Sequence, residues 1–367
     1  MKFVFASYIT IPDFNEPEAW LHRIRAYAGI HAALSREHEV VCVEQINYEG
    51  VHMKNGAQYH FLRLPSAQKF FPKQLHRFIK EQLPDVVVIH SLYYPLQVMQ
   101  LRRYLGDKVK IIIQHHAEQP YTGLKKYLQR RADNAVDAYL FASREMGLDW
   151  IRRGNLGNPD KINEVMELSS VFYPIDKTAA LTRTKAGGAP VYLWVGRLND
   201  NKDPLNVVRA FLQFAAHQPA AKLYMIYHTT ELLGEIQQLL HNHPQQHAIV
   251  LTGQVPHDAL LYWYNSADYI ISGSYYEGSG TAICEAMSCG CIPIVTNIPS
   301  FRMMTDHGRC GFLYEAGNEE ALLQVLQQTI SLDSAAKKQL CLDFFRTHLS
   351  FQAIARRMQE IAGGLVK

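Results

Sequence analysis

Residues 269–296, YIISGSYYEGSGTAICEAMSCGCIPIVT, constrain the chain more than any other stretch. A short apolar run at 269–271 ends in a polar, glycine-rich turn at 272–280. Residues 281–288 suit a helix, Gly290 suits its stop, and 292–295 is a second apolar run. Strand, glycine-rich loop, helix and strand make a βαβ unit, the building block of parallel sheets. The loop stands at the carboxyl end of a strand and at the start of a helix, where parallel α/β sheets hold ligands. Free backbone N–H groups at a helix start attract anions, and glycines let the anion come close. Two carboxylates, Glu277 and Glu285, bracket the loop. Carboxylates do not bind phosphate; they accept hydrogen bonds from hydroxyls. Helix N–H groups for phosphate, beside two glutamates for hydroxyls, fit a nucleotide sugar. The competing reading is a plain crossover with two solvated glutamates.

The same alternation runs through the chain. Strands are expected at 2–9, 40–43, 86–90, 111–114 and 138–141, and helices at 17–36, 96–104, 124–132 and 145–153. Residues 164–190 lack periodicity and contain Pro174 and the run Ala186-Gly187-Gly188-Ala189-Pro190, which reads as a linker. The pattern then restarts, with strands at 191–195, 222–226 and 249–251 and helices at 205–216, 232–240, 319–330 and 351–361. The fold class is α/β, with two doubly wound domains. Residues 86–90 and 111–114 each end in unusual side chains, His90-Ser91 and His115-His116-Ala117-Glu118.

A second motif follows residue 195. A strand ends in Gly196 and feeds Arg197-Leu198-Asn199-Asp200-Asn201-Lys202. Arg offers phosphate a planar fork, and Lys a mobile point charge. Each charged hydrogen bond is worth about 1.5–3 kcal/mol, so two supply much of a micromolar affinity.

Taken together, Glu-Gly-x-Gly, Glu-Ala-Met and Gly-Cys-Ile-Pro-Ile-Val resemble the E-x7-E region of the family 4 retaining nucleotide-sugar glycosyltransferases. Val-Gly-Arg-Leu with Lys202 resembles that family's phosphate-clamping motif. The resemblance covers most of residues 190–345, and the first half more loosely. It implies the GT-B architecture, two Rossmann-like domains facing across a cleft. Residues 1–178 would form the acceptor side and 179–349 the donor side, with the last helix, 350–367, packed back on the first domain. The implied reaction moves a sugar from a nucleotide-diphosphate sugar to an acceptor hydroxyl, with retention and without a metal or other cofactor. Arg197, Lys202 and the N–H groups near Gly280, Thr281 and Ala282 would stabilise the leaving diphosphate, with Gly196 and Gly278 allowing close approach. Glu277 would hold donor-sugar hydroxyls and Glu285 the ribose. Gln254 and Val255 would meet the base through backbone. A strand-end histidine faces the donor in this family; His116 matches best, with His115 the alternative. The chain departs from the family in having two histidines there. It also has Pro12-Asp13-Phe14-Asn15 where paired glycines are usual, and Tyr227-His228-Thr229-Thr230 where Gly-x-Gly is usual. The alternatives are a nucleotide-sugar epimerase or other enzyme on this fold, and a non-catalytic nucleotide-sugar-binding protein.

Composition narrows the setting. At 48% hydrophobic and 19% charged residues, the chain is of ordinary globular type. No apolar run approaches a membrane span. The start, MKFVFASY, is too short in its apolar part for a signal peptide and is followed by Asp13, Glu16 and Glu18. Six Cys without a CxxC indicate buried thiols in a reducing compartment, so a cytoplasmic location is expected. No Asp-x-Asp occurs, the usual cue for a metal holding a diphosphate. The basic pairs Arg102-Arg103, Lys125-Lys126, Arg130-Arg131 and Arg152-Arg153 offer peripheral contact with an anionic inner membrane face, against the favoured reading of solvated helix faces. Nothing interleaves aromatics and basics as a nucleic-acid groove would. The expected partners are the donor and a carbohydrate, lipid-linked or small-molecule acceptor.

Overall fold

The computed structural model describes residues 1–64, 68 and 70–366. In its first unit, eight strands lie in the order β3-β4-β2-β1-β5-β6-β7-β8 among the described residues. They are β1 (Lys2–Ser7), β2 (Glu39–Glu44), β3 (Gly50–Lys54), β4 (Ala57–Phe61), β5 (Val86–His90), β6 (Lys110–Gln114), β7 (Ala138–Phe141) and β8 (Ile162–Glu164). All neighbours are parallel except β3 and β4. Phe5 of β1 pairs with Cys42 on one side and Val88 on the other. Helices cover both faces of such a sheet, so its central strands read as unbroken apolar runs; Val86–Ile89 is fully buried. The strand order reverses between β1 and β5. Their loops therefore part and leave a crevice at the carboxyl edge.

The β3–β4 hairpin turns on Asn55 and Gly56, both at positive φ (49° and 86°). Asn-Gly is the residue pair that tolerates this turn, whose twist matches that of the strands. The helix expected over 17–36 is two helices, Pro17–Arg23 and Arg25–Leu34, broken at Ile24.

The second unit has six parallel strands in the order β11-β10-β9-β12-β13-β14. They are β9 (Val191–Gly196), β10 (Lys222–Tyr227), β11 (Ile249–Gly253), β12 (Tyr269–Ser272), β13 (Ile292–Thr296) and β14 (Phe312–Tyr314). Buried aromatics fill the core; the rings of Tyr192 and Tyr269 stack 5.1 Å apart. Here the order reverses between β9 and β12, which opens a crevice at the carboxyl ends of those two strands. The helix Thr281–Ser288 starts where the sequence placed it, and Gly290 beyond its end sits at φ 79°.

The two units are Met1–Ser169 with the last helix Phe351–Val366, and Ser170–Ser350. The first division thus falls before residue 178, and the expected linker over 164–190 is ordered. Residues 164–169 belong to the first unit, where the Ser169 N–H donates to the Ala26 carbonyl at 2.8 Å, and residues 170–190 belong to the second. Asn265 accepts from the Ile175 N–H at 2.8 Å, Lys177 pairs with Asp268, and the helix Lys177–Thr184 lies along the helix Leu260–Ser266. Helix Phe351–Val366 packs on helix Arg25–Leu34. No described helix is long and apolar enough to cross a membrane. All six Cys are buried free thiols.

Candidate active site

The donor half-site grows from the loops after β9 and β12. Gly196 ends β9, and a Cβ there would crowd the Trp194 ring at 3.1 Å. Arg197 follows with an exposed side chain. The carboxyl of Glu231 is held below its usual range, first by the Thr229 hydrogen bond and last by the Arg197 charge. Asn199 caps the next turn, accepting from the Lys202 N–H at 3.2 Å. Lys202 Nζ forms an ion pair with Glu277, and Glu277 also accepts from Ser274 Oγ at 2.6 Å.

Asn201 fixes this geometry. Its Nδ2 donates to the Tyr276 carbonyl at 3.0 Å, and its Oδ1 accepts from the Tyr276 N–H at 3.1 Å. Its own carbonyl accepts from the Tyr275 N–H at 2.9 Å. The β9 loop is thereby latched to the β12 loop, which holds lysine opposite glutamate.

Gly278 is buried, and Gly280 turns into the helix at φ 55°, ψ 58°. A Cβ at Gly280 would meet the Phe301 ring at 2.6 Å, so glycine is required there twice over. Ile283 and Cys284 donate to the Gly280 carbonyl, and no side chain caps the helix. The first-turn N–H groups of Thr281 and Ala282 keep their capacity for an anion.

Glu285, on the same helix, is 5% exposed. It accepts from His257 Nε2 at 2.8 Å and from Tyr264 OH at 2.9 Å. Burial, then the Glu285 charge, pushes the Tyr264 phenol well above its usual range. A carboxylate has about four lone-pair sites, so Glu285 retains room for hydroxyls. The exposed Gln254 and half-buried Val255 follow β11, three and two residues ahead of His257. His257 thus ties the turn expected at the base to the carboxylate expected at the ribose.

The first unit holds a separate cavity of about 360 Å³ at its crevice. Phe5, Tyr27, Glu44, His90, His116 and Glu118 are among its walls. His116 Nδ1 lies 2.5 Å from Glu167, and its Nε2 lies 2.8 Å from His90 Nδ1. Burial pulls its pKa down, but the charge and hydrogen bond of Glu167, then Glu118, more than offset this and raise it. Burial, then the His116 charge, holds His90 well below its usual range. His116 faces the Glu167 carboxylate through Nδ1, and one imidazole donates to the other across the His90–His116 contact. Glu118 ties the strand ends together, accepting from the backbone N–H of Leu92 at 3.2 Å and of His116 at 2.6 Å. His115 is instead a core residue, 1% exposed, stacked on Phe141 at 4.7 Å. Ser91 and Ala117 hold positive φ (85° and 66°) beside this cavity, local strain of roughly 1–3 kcal/mol each.

So Gly196, Arg197, Lys202, Glu277, Gly278, Gly280, Thr281 and Ala282 flank one strand-order reversal, and Glu285 joins Gln254 and Val255 through His257. His116 belongs to the first unit's cavity. Sequence reasoning missed Asn201, Ser274, His257, Tyr264, Glu167 and Glu44. Glu44 carries a signal, because it ends a strand beside β1, where ligands of such sheets sit. The partners of Glu285 and His116 lie far off in sequence, and no local pattern marks them.

The family model described as Glycosyl transferases group 1 matches residues 181–340. The phosphatidylinositol N-acetylglucosaminyltransferase GPI3 subunit of Saccharomyces cerevisiae is 24% identical over 165 residues, 44% of this chain and 36% of that protein. Mannosylfructose-phosphate synthase of Agrobacterium fabrum is 25% identical over 160 residues, 41% of this chain and 35% of that protein. The chain thus spans about a third of the length of these relatives. Among solved structures, a glycosyltransferase from Rickettsia africae superposes with a TM-score of 0.76 at 18% identity, covering 100% of this chain and 99% of that one. Anabaena HepE in complex with UDP gives 0.74 at 14%, covering 99% and 100%. This likeness over the full length shows the GT-B fold.

Proposed function

From the match of residues 181–340 to the glycosyl transferases group 1 model, we propose that the protein transfers a sugar from a nucleotide-diphosphate sugar to an acceptor hydroxyl. One observation carries the reading. Arg197, Lys202 and an uncapped helix start lie at the β9–β12 reversal, with Glu277 held beside the lysine. These groups suit the diphosphate and the sugar hydroxyls of one donor. The bond from the anomeric carbon to phosphate oxygen breaks, and a bond to the acceptor oxygen forms. The acceptor's proton leaves with the diphosphate. Arg197, Lys202 and the N–H groups of Thr281 and Ala282 stabilise the charge growing on the leaving group, where preorganised donors count most.

With two protein cations for the diphosphate, the reaction proceeds without a metal. Retention follows the family resemblance, with the acceptor attacking the face the diphosphate leaves. Glu285 holds the ribose and the turn at Gln254 and Val255 meets the base; the family resemblance assigns His116 to the donor. The six buried thiols favour a cytoplasmic setting. Peripheral contact with an anionic membrane through the basic pairs is the secondary reading beside solvated helix faces, because Arg102 pairs with Asp137, and Arg152 and Arg153 with Asp149.

The test incubates the full chain with a panel of nucleotide sugars and acceptors, with and without chelator. Transfer products with an unchanged anomeric configuration are expected in both. Activity abolished by chelator counts against metal independence. An epimerised nucleotide sugar formed without acceptor overturns the transferase assignment. Arg197→Ala removes one charged contact, and the expected loss in kcat/KM is on the order of 30–150-fold. A variant within threefold of wild type removes Arg197 from the clamp.

A further inference from the structure

His257 opens the short turn His257–Ala259, which runs straight into the helix Leu260–Ser266. Tyr264 follows it by seven residues, about two helical turns, so both side chains fall on one face. Their polar atoms reach the same carboxylate on the helix Thr281–Ser288. Tyr264 OH donates to one oxygen of Glu285 at 2.9 Å, and His257 Nε2 lies 2.8 Å from the other. Phe172 packs on both rings. Its centre is 5.2 Å from that of His257, in a stacked arrangement, and 5.9 Å from that of Tyr264. All four residues belong to the second unit.

The two partners differ in kind. Tyr264 is fully buried, and burial with the Glu285 charge keeps its phenol protonated, so it is a fixed donor. The His257 side chain is 47% exposed. An ionised carboxylate only accepts, so Nε2 carries the proton of this contact whether the ring is neutral or charged. A buried carboxylate is costly without donors, and one donor on each oxygen sets its plane before a ligand arrives. One acceptor site is then used on each oxygen, and each oxygen keeps another. That arrangement suits two adjacent hydroxyls. Glu285 also stands one turn, about 5.4 Å, along the helix from Thr281. This is within reach of the ribose of a diphosphate held at the helix start.

We propose that His257 is a positioning residue of the nucleotide site, which acts through Glu285 by holding its carboxylate in the orientation that accepts two ribose hydroxyls. The proposal rests on the reading above that Glu285 receives the ribose. Tyr264 anchors one oxygen from the core, and His257 fixes the other from the solvent side. A pair present only for stability would weaken every nucleotide alike or none. A positioning residue weakens only a ligand that brings the hydroxyls.

The test is a cycle between the residue and the hydroxyls. Calorimetric titration of the full chain with uridine, adenosine and guanosine diphosphates finds the base bound most tightly. The 2′,3′-dideoxy form of that diphosphate is titrated beside it. In wild type the dideoxy form is expected to bind about tenfold or more weakly. His257→Ala is expected to weaken the ribonucleotide about tenfold and the dideoxy form less than about twofold. His257→Gln places an amide N–H near the position of Nε2 and is expected to stay within about threefold of wild type for both. Equal losses for both ligands in His257→Ala overturn the proposal, because the residue then acts on the base or on the fold. A ribonucleotide affinity within about twofold of wild type in His257→Ala overturns it too, and so does a Gln variant as weak as the Ala variant. Should neither variant fold, the wild-type His257 Nε2–H resonance decides. It is expected to shift more with the ribonucleotide than with the dideoxy form, and equal shifts overturn the proposal. A dideoxy form that binds wild type as tightly as the ribonucleotide removes Glu285 from the ribose. Failure of all three diphosphates to bind counts against the transferase reading itself, and both results are distinct from a failure of His257 alone.

Discussion

Lys202 and Glu277 neutralise each other before any ligand arrives, and this decides what removing either should do. Glu277→Gln deletes the partner and leaves the lysine free for diphosphate. Nucleotide diphosphate affinity should then stay unchanged or tighten up to about threefold. Turnover should fall more than tenfold, because positioning the transferred sugar matters most in the transition state. Glu285→Gln weakens the group that receives Tyr264 and His257 and is assigned to the ribose. Nucleotide diphosphate should bind about tenfold less tightly. Calorimetric titration of both variants settles the donor's orientation; nucleotide affinity lost by Glu277→Gln and kept by Glu285→Gln would reverse it. His116 makes a second residue-scale case. Its pKa is raised in the folded chain despite burial, chiefly by Glu167. The stability it contributes is therefore fully present below its unfolded value, about 6.5, and is lost as pH rises through the folded value. The melting temperature of wild type relative to His116→Gln should decline from pH 6 to pH 9. An imidazole NMR titration should show His116 above 6.5 and shifted down in Glu167→Gln. A midpoint at or below 6.5 in wild type would remove the Glu167 pairing as its cause.

At the scale of elements, the donor half-site depends on two loops that are neither helix nor strand. Asn201 joins them with both ends of its amide and its own carbonyl. Asn201→Ala deletes two side-chain hydrogen bonds, about 1–3 kcal/mol of local ordering, while touching no assigned ligand contact. Amide exchange over residues 275–280 should accelerate roughly 10–100-fold, with exchange in β9 and β12 unchanged. Turnover should fall with it, because Glu277 loses its fixed position. Unaltered exchange in that segment would show that Thr296, which donates to the Ser274 carbonyl at 2.5 Å, and the Lys202 pair hold the loop without the latch.

For the whole molecule, the first unit is assembled from both ends of the chain. Helix Phe351–Val366 lies on helix Arg25–Leu34, and the Phe351 ring occupies the space of a Cβ at Gly29, 2.5 Å from it. Gly29→Val forces that ring away and should cost the first unit about 1–3 kcal/mol as overpacking. A thermal melt should show an earlier first transition, and nucleotide diphosphate binding by the second unit should persist at temperatures where the first has loosened. Equal destabilisation of both units would refute their independence in this respect.

The sequence by itself determined the α/β class, most strands and helices, and the glycine-bearing turn from 272 to 280. Period and apolar runs are local properties, and buried parallel strands display them without interruption. It also carried a hairpin in Asn55-Gly56, readable from turn chemistry though no strand pattern announced it. The break at Ile24 has no Gly or Pro to mark it. Only the tertiary structure separated His115 from His116: adjacent residues at a strand end point to opposite sides, and what fills each side is set by Phe141 and Trp150 on one and His90 and Glu167 on the other. The pairing of Lys202 with Glu277, of Glu285 with Tyr264 and of His116 with Glu167 joins positions 75, 21 and 51 residues apart. Lys202 and Glu277 meet where strand order reverses, Glu285 and Tyr264 where two helices pack, and His116 and Glu167 beyond the ends of β6 and β8. The order of strands is settled by packing the whole sheet, not by any one segment.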